Sequence, residues 1–566
     1  MKFTEIPYTR PDMKALTVQF ENMLNAFNEA KTFDEADSIL LKMENKESYL
    51  YTQTGIAYVR HSINTEDKFY EEENDYVDAI MPQCEELLQK KAMALYNSPF
   101  KKEFSEKYGD IFFKNIEISL KAFSPEIMPE MVEENKLSSD YDKLIASAQI
   151  PFEGKIYTLS QLSPFKQDKD DARRLSAWRA EAGFYVENGE QLDDIYDKLV
   201  ALRDKMAKKM NYKNFIELGY YRMQRNSYNA DDVAKFRTAV IKYIVPVAEK
   251  LYMEQAKRTG LPYPLNFSDM ALSFRDGNPT PKGTPDDILK AGKNFYHELS
   301  PETAEFIDFM FDNELFDVLS RKGKSGGGYC TSFTDYKSPF IFANFNGTKH
   351  DVEVITHEAG HAFAAYVSRN MEILELQSPT LESCEVHSMS MEFFAEPWAN
   401  DFFKEDADKF RYTHLFDAIT FIPYGTMVDH FQHSVYERPE MTKKERHDEW
   451  RRLLGIYMPW VALGEEIPFY GDGKGWQRQL HIYQSPFYYI DYCLAQSVAL
   501  QFWAIMQHDQ KDAWARYEKF VSFGGTKTFS ELIETAGLET PFGDSALKKI
   551  SDEAVLWLKN NKLSEN

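Results

Sequence analysis

Long helical periodicity is the strongest constraint this sequence places on its fold. Residues Met13–Asn28, Asp34–Asn45, Asp75–Asn97, Asp193–Met210 and Asp231–Thr259 each return apolar side chains every three or four positions, as at Ile195, Leu199, Leu202 and Met206. Such spacing draws an apolar stripe along a helix, and the stripe needs a second surface to cover it. Helix breakers are scarce: 26 Gly and 24 Pro among 566 residues make about 9%, against an average near 12%. The spacing predicts a mainly α chain. Strand signal is concentrated in Ser338–Phe345 (SPFIFANF), between the glycine-rich loop Lys322–Gly328 and the turn Asn346–Gly347. The segment Gln149–Leu162 reads as a short hairpin leading into a helix, so a small sheet is expected beside the helices.

Composition excludes several classes of function. With 66 basic and 90 acidic residues the net charge is −24, which speaks against nucleic acid as a partner, because that affinity rests on Lys and Arg neutralising phosphates. No run of about 18 apolar residues is present, so no membrane span is expected. The start, MKFTEIPYTRPDMK, has no apolar core of the kind a secretory signal needs. Four dispersed cysteines, Cys84, Cys330, Cys384 and Cys493, suit a reducing compartment better than a disulfide scaffold. A cytoplasmic protein is the expectation.

The chemistry is concentrated at His357-Glu358-Ala359-Gly360-His361. Composition alone would produce an H-[DE]-x-x-H pattern about 0.04 times in this chain. Four residues advance a helix by about 6 Å with little rotation, so both imidazoles leave one face. They can then share a Zn²⁺ ion at about 2.0–2.1 Å, with Glu358 off that line and free to act on water. The flanking sequence Asp351–Ser368 is strongly helical. Gly360 costs about 1 kcal/mol relative to Ala in such a helix, which points to close approach by another backbone. Glu353, one turn before His357, is a candidate to orient it.

A catalytic zinc takes three protein ligands and leaves one position open. A third histidine in the metzincin position is absent, since Ala364 and Val367 occupy those sites. The segment Glu382–Glu392 reads as a second helix with Glu385, Ser388 and Glu392 on one stripe. Glu385, 24 residues after His361, is the candidate third ligand; His387 on the same helix is the lesser one. Asp429-His430-Phe431-Gln432-His433 reads as packing rather than a second metal site.

These residues resemble the thimet oligopeptidase and oligoendopeptidase F family of zinc metallopeptidases, most closely its bacterial oligoendopeptidase F-like or Pz-peptidase-like members. The resemblance rests on HEAGH at 357–361, EVHSMSME at 385–392, PFIFANFNGTKHDV at 339–352 and IYDKLVALRDKMAKKMNY at 195–212. It implies two helical lobes around a deep substrate channel, with the small sheet beside the zinc. Residues 1–194 would form an N-terminal helical lobe and 195–566 the catalytic region. It further implies one Zn²⁺ per chain, oligopeptide substrates and a downstream His/Tyr set that stabilises the oxyanion. Here that set is His481 and Tyr492, with Tyr488 or Tyr489, and Pro486 as the opener of their helix. Tyr488, Tyr489 and Phe345 are the expected substrate contacts.

The expected reaction is hydrolysis of internal peptide bonds in short peptides, with His357, His361 and Glu385 holding zinc and Glu358 as general base. Tyr492, helped by His481, would donate to the oxyanion. An edge of Ser338–Phe345 is expected to pair with extended substrate, and the loops Lys322–Gly328 and Gly471–Gly475 have the composition of lids. The alternatives are a zinc dipeptidyl carboxypeptidase of similar helical architecture and a non-catalytic peptide-binding protein.

Overall fold

A computed structural model describes residues 1–561 except 322 and 465. The chain is mainly α, 72% helical, as its periodicity predicts. The first three long helices are Met13–Glu29, Phe33–Ile63 and Lys68–Tyr96. Each has an N-cap whose side chain accepts an otherwise unpaired amide: Asp12 from Ala15, Thr32 from Glu35, and Asp67 from Phe69 and Tyr70. The second runs well past the expected Asn45. Its second half buries Glu47, Thr52, Gln53 and Ser62, so polar side chains interrupt the apolar stripe while the backbone stays helical.

The stretch Asp231–Thr259 is realised as Ala230–Ala239 and Val245–Thr259, joined by a π-type turn at Val240–Ile244. Pro246 follows that turn and cannot donate to the ladder, which accounts for the local widening. The hairpin at 149–162 is present as expected: β1 (Ile150–Phe152) pairs antiparallel with β2 (Lys155–Tyr157). Glu153 and Gly154, both at positive φ (48° and 76°), make the turn that matches strand twist.

Chain contacts divide into two compact units, each assembled from three segments. One comprises residues 1–120, 280–410 and 505–538; the other comprises 121–279, 411–504 and 539–566. The expected boundary at 194/195 falls inside the helix Gly189–Lys209. Among the described residues no helix is long and apolar enough to cross a membrane.

The first unit holds a three-stranded sheet of order β3 (Phe316–Leu319), β5 (Ser338–Phe345), β4 (Tyr329–Phe333). β3 runs parallel to β5 and β4 antiparallel, so both edges of β5 are taken. The expectation that β5 offers an edge to substrate is therefore corrected, because the free edges belong to its neighbours. Phe345 is also reassigned: it is buried in an apolar cluster with Val318, Val352, Ile355, Phe402 and Phe403, where it packs the sheet against helices.

Neither glycine-rich loop has the looseness of a lid. Described residues of the first are strapped by Lys324 Nζ to Asp317 O and Leu319 O (both 3.0 Å), and by Asn344 Nδ2 to Ser325 O and Gly327 O (2.8 and 2.9 Å). In the second, a Cβ on Gly471 would lie 2.4 Å from Gly464 O and one on Gly473 2.2 Å from His447 O. These glycines serve close packing.

Under the first three helices, Lys91 is sealed from solvent among three carboxylates. Its Nζ lies 2.8 Å from Glu44, 2.5 Å from Glu47 and 2.7 Å from Glu375. Burial pushes Glu44 up to about 8; the Lys91 charge opposes this, while Glu375 and Glu47 add to it. Removing the ammonium leaves buried like charges without a counterion, a loss of about 3–5 kcal/mol. The variant's carboxylates then have folded-state pKa values raised above their unfolded ones, so the lost stability returns as pH falls toward the unfolded value. Lys91→Met should lower the thermal midpoint strongly at pH 8 and much less at pH 5, measured by calorimetry beside the wild type.

Candidate metal centre and active site

β5 leads through the turn at Asn346–Gly347 into the helix His350–Ser368, which carries HEAGH. Gly347 has φ 85°, and the Asp351 carboxylate accepts the amides of Asn346 (2.9 Å) and Gly347 (2.7 Å). Strand, turn and helix are thereby locked together less than two turns before His357. The partner helix is Leu381–Phe394, and the contact between these two helices is the most extensive of any two elements among the described residues. A Cβ on Gly360 would sit 2.7 Å from both His387 O and Ser388 Cα. The close backbone approach expected at Gly360 is present, and its partner is the second helix.

That approach brings the candidate ligands together. Glu385 Oε2 lies 3.4 Å from His357 Nε2 and 3.7 Å from His361 Nε2. Ligands each about 2.1 Å from a tetrahedral ion stand about 3.4 Å apart. All three donor atoms lie within 4.8 Å of one another. Two imidazole nitrogens and one carboxylate oxygen form a donor set suited to a borderline divalent cation, with a coordination position to spare. Ser388 Oγ donates to Glu385 Oε2 at 3.2 Å and steadies it.

The carboxylate that orients His357 is Glu392, 2.7 Å from Nδ1. Glu353, expected in that role, pairs instead with Lys349 at 2.6 Å on its own helix. Nδ1 of His357 points across to the neighbouring helix, so a residue one turn back cannot reach it. Glu392 was visible in the sequence as a member of the Glu385 stripe, but only the crossing of the helices reveals its partner. His387 is buried with its ring edge-on to Phe520 at 5.7 Å, a packing role.

Charge is finely held here. Burial opposes a charge on His357, yet its hydrogen bonds to the Glu385 and Glu392 carboxylates outweigh it and keep its pKa well above the usual histidine value. Burial drives His361 the other way, down to about 4. Glu358, 9% exposed, is pushed up to about 7 by burial, with Glu385 and Glu392 adding to the rise and His357 offsetting part of it.

The second carboxylate cluster, Glu44, Glu47 and Glu375, already encloses the Lys91 ammonium.

His481, Tyr488, Tyr489 and Tyr492 belong to the second unit, where they form one aromatic cluster. The His481 ring centroid is 5.7 Å from Tyr488, 5.0 Å from Tyr489 and 5.8 Å from Tyr492, and Tyr488 and Tyr489 lie 5.0 and 5.6 Å from Tyr492. All four are partly exposed, while Ile490 and Asp491 between them, and Cys493 just after them, are buried. Pro486 does not open their helix. A short helix, Leu480–Gln484, ends first, Phe487 takes a left-handed φ of 68°, and the long helix starts at Tyr489.

The chain is similar to known peptidases. Residues 3–123 match the peptidase M3 N-terminal domain and residues 293–552 match peptidase family M3. A solved structure of PZ peptidase A with an inhibitor is 45% identical, with TM-score 0.94 over all of both chains. A Bacillus anthracis (strain Ames) structure bearing the oligoendopeptidase F name is 45% identical, with TM-score 0.89, covering 100% of this chain and 99% of that one. The oligoendopeptidase F homolog of Borreliella burgdorferi is 26% identical over 233 residues, 39% of this chain and 38% of that protein.

The helix crossing and the Glu392 contact can be tested separately. Gly360→Ala forces the two backbones apart, so it should cost about 1–3 kcal/mol of stability as an overpacked core does and weaken Zn²⁺ binding. Glu392→Gln leaves the crossing intact and should lower Zn²⁺ affinity by about 10- to 100-fold. Competition with a chromophoric chelator measures both.

Proposed function

The chain belongs to peptidase family M3, and from that premise we propose that it is a zinc-dependent endopeptidase hydrolysing internal bonds of short oligopeptides. The observation that carries the reading is the convergence of His357 Nε2, His361 Nε2 and Glu385 Oε2 beside the enclosed Glu358. His357, His361 and Glu385 would hold one Zn²⁺, whose Lewis acidity lowers the pKa of a water toward about 7 and polarises the scissile carbonyl.

The remaining work falls to the chain's own side chains. Glu358 adjoins a ligand on the same helix without sharing its direction, so it reaches the attacking water rather than the ion. It takes the water proton as the new C–O bond forms and returns it to the amine nitrogen as the C–N bond breaks. Tyr492, with His481 second, donates a hydrogen bond to the tetrahedral oxyanion, and Tyr488 and Tyr489 contact substrate. Glu392 keeps His357 in the tautomer that leaves Nε2 free. Every residue so assigned lies within 195–566, the region read as catalytic. Four free cysteines fit a cytoplasmic setting.

Mass spectrometry of a peptide length series tests the proposal. Internal cuts by the wild type should vanish with a chelator and return with Zn²⁺. Glu358→Gln should retain bound metal while losing about 10²–10⁴-fold in kcat. Release of C-terminal dipeptides alone would assign a carboxypeptidase instead, and intact peptides despite bound zinc would leave only peptide binding.

A further inference from the structure

The start of the Tyr492 helix is held by a buried charge that no step of the reaction uses. Arg225 and Asp491 side chains are both fully buried, with Arg225 Nη2 3.0 Å from Asp491 Oδ1. The same Nη2 donates to the carbonyl of Phe487. That carbonyl is outside the helical ladder, because the Asp491 amide bonds instead to Tyr488 O at 2.9 Å. On the other side of the residue the Phe487 amide donates to Gln432 Oε1 at 2.9 Å. Tyr228 OH adds a bond to Asp491 Oδ1 at 3.2 Å.

The ring of Phe487 is confined as tightly as its backbone. It lies 4.8 Å from His433, 5.5 Å from Tyr220 and 5.4 Å from Tyr436. A Cβ on Gly219 would come within 2.6 Å of it, so only glycine leaves it room. Beneath it, His433 Nε2 meets Tyr220 OH at 3.0 Å, and His433 Nδ1 lies 3.2 Å from Asp429, itself paired with Arg237 at 2.9 Å. A bulky residue at positive φ persists only where its surroundings over-determine it. Phe487 immediately precedes Tyr488, and Asp491 immediately precedes Tyr492. One guanidinium nitrogen therefore ties together both ends of the turn from which Tyr488, Tyr489 and Tyr492 project.

We propose that Arg225 is a positioning residue for hydrolysis, fixing the tyrosine cluster through Phe487 O and the Asp491 carboxylate; the inference rests on the reading of Tyr492 as oxyanion donor. Arg suits the place because its guanidinium is always charged and more weakly hydrated than an ammonium, so it can stay ionised and paired where water is excluded, whereas Lys is a strongly hydrated point charge on a flexible stem. Arg225 touches neither substrate nor metal ligand, so its effect belongs in kcat rather than in zinc content.

The test uses the full-length zinc-loaded enzyme and a fluorogenic peptide with an internal cleavage site. Arg225→Lys should lower kcat by roughly 10- to 100-fold, the scale of a small misplacement of a reacting group, with a much smaller change in KM, through Tyr488 and Tyr489, and with bound zinc unchanged. In a Tyr492→Phe background, the same substitution should cost less than about 3-fold more, because the group it positions is already gone. Asp491→Asn gives the same pattern and serves if Arg225→Lys does not fold. Wild-type kcat in Arg225→Lys, or a loss that multiplies in full with Tyr492→Phe, overturns the proposal. Wild-type kcat in Tyr492→Phe alone overturns the oxyanion assignment, and with it the purpose given to Arg225.

Discussion

A carbonyl and a Cα lying 2.7 Å from where a Gly360 side chain would begin leave room for hydrogen alone, and the spacing of the candidate ligands follows from that contact. A helix fixes the separation of His357 and His361 by itself, but it cannot fix where a carboxylate from another helix arrives. The contact at His387 and Ser388 sets the depth of the crossing, and Glu385 then reaches both imidazoles at 3.4 and 3.7 Å. The same crossing brings Glu392 to the far nitrogen of His357. One backbone contact thus organises a donor set and its outer support together.

Buried charge is handled by the same rule in two places. Lys91 sits among Glu44, Glu47 and Glu375, and Arg225 spans Asp491 and Phe487 O. In each, one cation answers more than one acceptor, since an isolated ion away from water would be far too costly. Both cations are permanent at neutral pH.

Much of this was legible from the sequence where a feature is local. HEAGH, the Gly360 approach, the Glu385 stripe, the hairpin at 150–157 and most helix spans depend on residues within a few turns of one another. The misreadings share a cause: each needed a partner distant in sequence. Glu353 looked like the orienter of His357 because it is one turn away, whereas Glu392 is 35 residues on. Ser338–Phe345 looked like an available edge because β3 and β4 carry weak strand patterns of their own. Gly471 and Gly473 looked mobile because composition cannot separate a glycine that frees a loop from one that admits a neighbour's carbonyl. Pro486 is the same kind of case, its expected helix start displaced by Phe487, which buried groups from three other segments hold at positive φ.

The first compact unit is stitched from residues 1–120, 280–410 and 505–538, and that order has consequences during synthesis. Phe3 N donates to Asn313 O at 2.9 Å, and Tyr517 OH reaches back to His387 O at 2.9 Å. On a ribosome adding about 5–20 residues per second, those partners emerge some seconds to a minute apart. The first three helices cover much of one another, but their apolar cluster is completed by Ile373 and Leu376, which emerge far later, and HEAGH follows long before Gln510–Ser522, the helix packed behind it. The HEAGH helix is thus translated well before the last segment of its own compact unit exists to pack against it.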